Sequence, residues 1–211
     1  MVKNINPLIF RLIINQNHYS IWFIIKKSYF INIKEDNKIR NYINIFLKKE
    51  KYIIIYEIFY IKIKKFLNLI KIIIYIGIKN FLIKNIKKKL NKIRIKIKKK
   101  INYTNFNIEI IKIINIYEYP NIISKFIIKQ LKKKVSFFKI IKKTIELTEN
   151  TCIKGIKIKI SGKIFNKEIK NNEWFKEGII PLQTIKSKVY FCLYKIKTIY
   201  GILSIKVWIF F

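Results

Sequence analysis

The sequence is poor in the residues from which catalytic and metal sites are usually built. It has no alanine, one histidine, two cysteines, five glycines and three prolines. Cys152 and Cys192 form no CxxC pair, which excludes a disulfide framework and a paired-cysteine zinc site, so both are expected to be free thiols in a reducing compartment. His18, the sole histidine, cannot complete a local histidine-based triad.

Phosphate-binding loops are missing as well. No GxGxxG motif occurs, and Gly155 with Gly162-Lys163 only faintly resembles a phosphate loop, because the spacing is too long and Ile164 occupies the Ser/Thr position. Glu173 and Glu177 have lysines all around them, so ion pairing explains them better than acid–base catalysis. The sequence therefore predicts that the chain is not an enzyme and uses no cofactor, metal or small-molecule substrate.

Long hydrophobic runs are also absent. A membrane-spanning helix needs about 18 or more consecutive apolar residues, whereas the longest uncharged stretch, Leu12 to Ile25, is interrupted by polar side chains. No small-residue cleavage site follows an apolar run near the start, so a secretory signal is not expected. No membrane partner is predicted.

Acidic residues are the most consequential shortage. The chain has 11 Asp and Glu residues but 46 Lys and Arg residues, which gives a formal charge of +35 on 211 residues. The chain is nevertheless 51% hydrophobic with a mean hydropathy of +0.13, too apolar for a disordered tail. It should therefore fold against a polyanion, namely RNA, DNA or an anionic membrane surface. Lysines are scattered over every segment and not massed on one amphipathic helix, which disfavours the membrane surface.

The amino-acid composition of the chain indicates what kind of genome encodes it. Only Arg11, Arg40 and Arg94 are arginines, and Ile, Lys, Asn, Phe and Tyr dominate. An extremely A/T-rich genome produces this composition, as organelle and parasite genomes do. Part of the lysine excess is then explained by drift from arginine.

The periodicity of apolar residues predicts an α+β fold in two parts. A helix is expected over Ser28 to Lys49, with Glu35 and Asp36 near its start, where the helix dipole favours acidic residues. Residues 79–100 fit a helix or a strand equally well. Two amphipathic helices after Pro120 are expected to cover an antiparallel sheet. Strands are predicted at Tyr52–Ile63, Leu69–Ile76, Phe106–Ile114, Ile156–Ile160, Val189–Leu193 and Leu203–Ile209.

One helix face carries the clearest candidate interface. Lys139, Lys142 and Lys143 fall on one side of the second helix after Pro120, and Lys132, Lys133 and Lys134 precede it. A solvated face would explain them. Contact with phosphates is at least as well supported, because neutralising phosphates releases counterions and relieves the repulsion within the chain.

Short segments along nearly the whole chain resemble the plastid type of small-subunit ribosomal protein S3. The match is weak from about 48 to 118 and dense after 120. It includes Asn6-Pro7-Leu8, Gln16-Asn17-His18, Ser20-Ile21-Trp22-Phe23, Ile145-Glu146-Leu147-Thr148-Glu149, Lys154-Gly155-Ile156, Glu173-Trp174, Pro181-Leu182-Gln183-Thr184-Ile185, Tyr200-Gly201 and Val207-Trp208-Ile209-Phe210.

The resemblance implies a domain organisation and a cellular location. It implies an N-terminal arm with the start of the first helix over 1–38, a type II KH domain over 39–118, and a C-terminal S3 domain over 119–211. The protein would lie in the head of the plastid small ribosomal subunit, in the stroma. It would bind the 3' domain of the small-subunit rRNA, neighbour ribosomal proteins S10 and S14, and help to line the channel through which mRNA enters.

The resemblance also assigns roles to residues. The helix that grips incoming mRNA in the family maps onto Lys139, Lys142 and Lys143, although Phe138 stands where the family usually has arginine. The N-terminal arm is polar and contains Pro7, so it is not expected to form a core of its own. Its cations would contact rRNA, while Trp22 would pack against the folded part of the protein. Further RNA contacts are expected at Lys3, Arg11, Lys132, Lys133, Lys134, Lys163 and Lys176.

Two features complicate this interpretation. The loop with which a KH domain clamps nucleotides should lie near Ile83 to Lys87, yet no glycine occurs there, so sequence-specific KH binding is not expected. A second candidate function is an organelle-encoded basic RNA-binding protein such as an intron maturase fragment. Neither a reverse-transcriptase remnant nor a long basic splicing domain is visible in the sequence.

Overall fold

A computed structural model describes residues 6–12, 14–49, 57–66, 69–77, 94–95, 105–163, 171–199 and 201–211. The chain forms two compact units. One joins the chain up to Asn17 with Asn115–Phe211, and the other comprises His18–Ile114. This division differs from the expected one, since residues of the predicted 1–38 arm belong to both units. The ambiguous segment 79–100 lies outside the described residues, apart from Arg94 and Ile95.

The described chain alternates between helices and two four-stranded sheets, which confirms the predicted α+β class. Short 3-10 helices occupy Lys26–Ser28 and Ile116–Glu118. The helices are α1 (Pro7–Arg11), α2 (Tyr29–Lys49), α3 (Pro120–Lys132) and α4 (Phe137–Glu149). The strands are β1 (Ser20–Ile21), β2 (Glu57–Lys65), β3 (Leu69–Gly77), β4 (Asn105–Lys112), β5 (Gly155–Gly162), β6 (Asn171–Gly178), β7 (Val189–Thr198) and β8 (Gly201–Phe210).

The sheet of the first unit has the order β6-β5-β8-β7, with all neighbours antiparallel. Every second residue of β5 and β8 is buried, and these residues share one core with the apolar stripes of α3 and α4. Because alternate residues of a strand point to opposite faces, α3 and α4 cover one face of the sheet. Two helices over an antiparallel sheet is the arrangement predicted from the sequence.

Two of the scarce glycines are required where β5 meets β6. Gly155 and Gly178 are directly paired across these strands, and Gly178 has a φ of 69°. A side chain at either position would collide with the backbone of Lys154 or Ile179. Only glycine fits the space at both positions, and at Gly178 the backbone conformation favours glycine as well.

The second unit contains the sheet β1-β2-β3-β4. β2 and β3 are antiparallel, whereas β1 pairs with β2 and β3 with β4 in parallel. Ile39 and Ile43 of α2 are fully buried, as are Ile63, Ile70, Ile72 and Ile74 of the sheet.

Glu35 and Asp36 serve a different purpose from the one predicted. They lie beyond the first turn of α2, which contains no acidic residue. The buried Lys65 Nζ is 3.1 Å from Glu35 Oε2 and 2.9 Å from Asp36 Oδ1. The Trp22 indole N–H donates to Asp36 Oδ2 at 2.9 Å. A buried cation needs such partners to offset its lost hydration, so this network ties the segment around Trp22 to α2 and β2.

Candidate nucleic-acid interface

Six of the predicted RNA contacts are exposed at the end of α3, in the turn after it and along α4. We call them the basic cluster: Lys132, Lys133, Lys134, Lys139, Lys142 and Lys143. Of the other candidates, Lys163 is exposed just after β5 and Lys176 is exposed on the edge strand β6. Lys3 lies outside the described residues.

The amphipathic pattern of α4 sets the direction of the cluster. Phe137, Ile140 and Ile141 are buried against the sheet, and Thr144 is buried with its hydroxyl donating to the Ile141 carbonyl at 2.7 Å. Side chains three and four positions apart share one side of a helix. Burial of this stripe therefore turns Lys139, Lys142 and Lys143 to solvent, as the sequence predicted.

The end of α3 and the turn after it add three exposed lysines, Lys132, Lys133 and Lys134. The N–H groups of Lys133 and Lys134 donate to the carbonyls of Gln130 and Leu131, both at 3.0 Å, and that of Val135 donates to Gln130 at 3.3 Å. These bonds satisfy carbonyls that the end of α3 would otherwise leave open. Lys134 completes the turn in the left-handed conformation, with a φ of 57°.

An exposed aromatic ring adjoins the cluster. Phe138 is 82% exposed. Its ring lies edge-on to that of the buried Phe137, with 6.0 Å between ring centroids. An exposed aromatic ring is suited to stacking on an unpaired base. The basic cluster and Phe138 together offer both phosphate contact and base stacking.

Arg11 is not an RNA contact, and this prediction was wrong. The side chain is fully buried. Its guanidinium donates to the carbonyls of Pro181, Leu182, Thr184 and Ser187 at 2.9–3.0 Å, and to that of Pro7 at 3.2 Å. Burial lowers the pKa of Arg11. The planar fork of arginine carries five N–H donors, whereas the ammonium of lysine carries three, so lysine could not satisfy all five carbonyls.

The predicted irregular arm is therefore in part a packed helix. Pro7 occupies the first turn of α1, and the Asn6 side chain accepts from the Leu8 N–H at 3.0 Å. Asn15 donates to the Ile185 carbonyl at 2.9 Å, and Gln16 donates to that of Val189 at 3.0 Å. Proline at the first helical position with asparagine before it was a readable helix start. Burial of Arg11 could not be predicted in the same way, because four of its five carbonyl partners belong to residues 181–187, far away along the chain.

The described residues hold no group of three His, Cys, Asp or Glu side chains that could bind a metal ion. Both cysteines are free thiols, as predicted. Cys192 is buried with its Sγ 3.7 Å from Ser124 Oγ, and burial raises the pKa of its thiol. No described helix is both long and apolar enough to cross a membrane.

Comparison with known proteins decides the family. Ribosomal protein S3, C-terminal domain, matches residues 127–209. Proteins named small ribosomal subunit protein uS3c from Phaseolus angularis and Glycine max are 46% and 47% identical to the chain over 214 residues. The alignments cover all of this chain and 99% of each relative. The chain belongs to the plastid-type ribosomal protein S3 family.

The relationship extends through both units. The uS3c of Lotus japonicus is also 47% identical, over all of this chain and 98% of its own length. The full-length match leaves no part of the chain for an intron maturase fragment. Membership confirms the prediction of a structural, non-enzymatic protein of the plastid ribosome. The matched C-terminal domain contains the basic cluster and all of the sheet of the first unit except Phe210, the last residue of β8.

Replacing Lys134 with glycine is expected to stabilise the fold by about 1 kcal/mol, because a left-handed conformation is costly for a residue with a Cβ. Urea denaturation of the full chain measures this. Lys133→Gly is the matched control, since it removes the same charge where φ is −81° and is expected to destabilise by about 0.5–1 kcal/mol. Equal effects of the two variants would contradict strain at Lys134.

Arg11→Lys is expected to lower the free energy of unfolding of the first unit by about 2–3 kcal/mol, because lysine keeps the charge but leaves buried carbonyls without donors. Denaturation followed by circular dichroism checks this. Lys186→Ala, at an exposed position of the same loop, should change stability by less than about 0.5 kcal/mol. An Arg11→Lys variant as stable as the parent would show that charge alone matters at this position.

Proposed function

We propose that this S3 family member binds the 3' domain of the small-subunit rRNA in the head of the plastid subunit. We further propose that its basic cluster lines the channel through which mRNA enters. The observation that carries the channel role is the outward cluster of six lysines on a firmly packed helix pair. The net charge of +35 supports rRNA binding, because a folded chain with such self-repulsion gains most from a polyanion.

The chemistry of the cluster fits a moving message. Lysine contacts a phosphate as a point charge and reads no base. Base-specific hydrogen bonds would hold one sequence and oppose its movement, whereas phosphate contacts are equivalent at every step. Phe138 supplies stacking in place of one cation, and stacking tolerates any base. We therefore expect mRNA binding that does not depend on sequence. The electrostatic attraction should be weaker than in a cluster with arginine at position 138.

We infer that the second unit is a KH-type domain. The support is its element order, a helix, two antiparallel strands and a third strand parallel to β3. The loop expected near Ile83–Lys87 lies outside the described residues and has no glycine in its sequence. Backbone clamping of a specific RNA sequence is accordingly not part of the proposal. Ribosomal proteins S10 and S14 are the proposed protein neighbours in the head.

Changing Lys139, Lys142 and Lys143 to glutamate should leave subunit assembly intact but impair translation of messages with hairpins near the start, because the grip on the phosphates is reversed in sign. Translation of structured and unstructured messages by purified ribosomes measures the difference. Glutamate at Lys26, Lys27 and Lys38, all exposed in the other unit, makes the same change in charge. The channel role would be wrong if the Lys139/Lys142/Lys143 variant matched this control on hairpin messages.

Binding of the full chain to a 3'-domain rRNA transcript should fall steeply as salt rises. Each neutralised phosphate contributes about 0.7–0.9 log units of affinity per log unit of salt. Filter binding at several potassium chloride concentrations gives the slope. Affinity that is insensitive to salt would count against a phosphate-dominated interface and thus against the proposed rRNA binding.

A further inference from the structure

The sheet of the first unit has a second face, opposite α3 and α4, that the sequence analysis did not treat as a site. We call it the outer sheet face. The strand register makes Lys157 the direct neighbour of Lys176 and Trp208, and Lys159 the direct neighbour of Trp174 and Lys206. β7 continues the face with Phe191, Leu193, Lys195 and Lys197.

This face carries charge of one sign. The four strands, all of which the structure describes, present six lysines on it and no acidic side chain. The acidic residues of these strands, Glu173 and Glu177, are paired with Ile160 and Ile156 and so lie on the helix-covered face. Lysines directly opposite each other in a sheet repel. An anionic occupant would remove that cost.

Two tryptophans lie among these lysines in a fixed arrangement. Lys157 Nζ is 5.4 Å from the ring centroid of Trp174 and 5.5 Å from that of Trp208. Trp208 is half-buried, and its ring centroid is 5.2 Å from that of Phe191. Cation–π contacts of this kind hold an indole in place. Trp174 is nevertheless 61% exposed, so much of its surface is open to a further stacking partner.

We propose that the outer sheet face binds an unpaired segment of RNA, with one base stacked on Trp174 and phosphates near Lys159, Lys176 and Lys206. The proposal rests on the proposed rRNA binding and adds the class of RNA that this face takes. A positively charged surface with an exposed aromatic ring is how proteins hold single strands. Duplex RNA offers no free base face to Trp174, and lysine is depleted at protein–protein interfaces.

The test compares Trp174→Ala with the parent full-length chain on three RNA probes of about twelve nucleotides. They are an unstructured single strand, an abasic strand with the same number of phosphates, and a duplex. We expect Trp174→Ala to bind the unstructured strand roughly tenfold more weakly, the loss of about one stacked base. Its affinity for the abasic strand and the duplex should be unchanged. Trp174→Phe, which keeps an aromatic ring, should restore most of the affinity.

Phe23→Ala is the matched control, since Phe23 is 96% exposed in the other unit, and it should leave all three affinities unchanged. Equal affinity of Trp174→Ala and the parent for the unstructured strand would overturn the stacking site while leaving RNA binding by the chain intact. Incorporation of the Trp174→Ala variant into small subunits is measured as well. If the variant were incorporated poorly while its affinities for all three probes stayed unchanged, the face would bind a protein partner and the RNA proposal would be overturned. A parent chain that binds none of the probes would overturn the proposed rRNA binding itself.

Discussion

Repulsion among 46 cationic residues, with 11 acidic ones to oppose it, is the constraint on which the rest of this structure depends. Over the described residues, the fold meets it by keeping most lysines on outward faces and by giving the buried cations Lys65 and Arg11 partners. Lys65 lies between two carboxylates, and Arg11 is surrounded by carbonyl oxygens. These local solutions leave the overall charge unbalanced. This unbalanced charge is the reason for proposing an RNA partner, and membership of a ribosomal protein family is consistent with it.

Arg11 and Arg40 occupy sites where several hydrogen-bond acceptors must be satisfied by one cationic side chain. Arg40 donates to the Ile61 carbonyl at 2.7 Å, to the Tyr19 carbonyl at 3.2 Å and to Ser20 Oγ at 2.8 Å. Burial lowers the pKa of Arg40, and Asp36 partly opposes this. Arg11 plays the same part in the other unit. Both positions need a planar group with several donors in fixed directions, whereas a surface contact with phosphate needs only a positive charge.

The two-layer unit presents two basic surfaces because a helix pair on a sheet has two outer sides. On the helix side, the basic cluster offers charge and one exposed phenylalanine. On the sheet side, lysines surround tryptophans that are already held by Lys157. In our proposals, the first surface contacts phosphates of a moving message and the second holds a stacked base. The same isoleucine-rich core orients both, because it buries the apolar stripe of α4 and alternate residues of β5 and β8.

The sequence alone determined the α+β class, the apolar core positions of β5 and β8, and the outward direction of Lys139, Lys142 and Lys143. Those features follow from local periodicity, which burial of one face enforces. It did not determine that Arg11 would be buried, since its carbonyl partners lie about 170 residues away along the chain. Nor did it pair Lys65 with Glu35 and Asp36, or bring Trp174 and Trp208 to one lysine. Those contacts depend on strand register and on loop packing between distant segments, which only the tertiary structure decides.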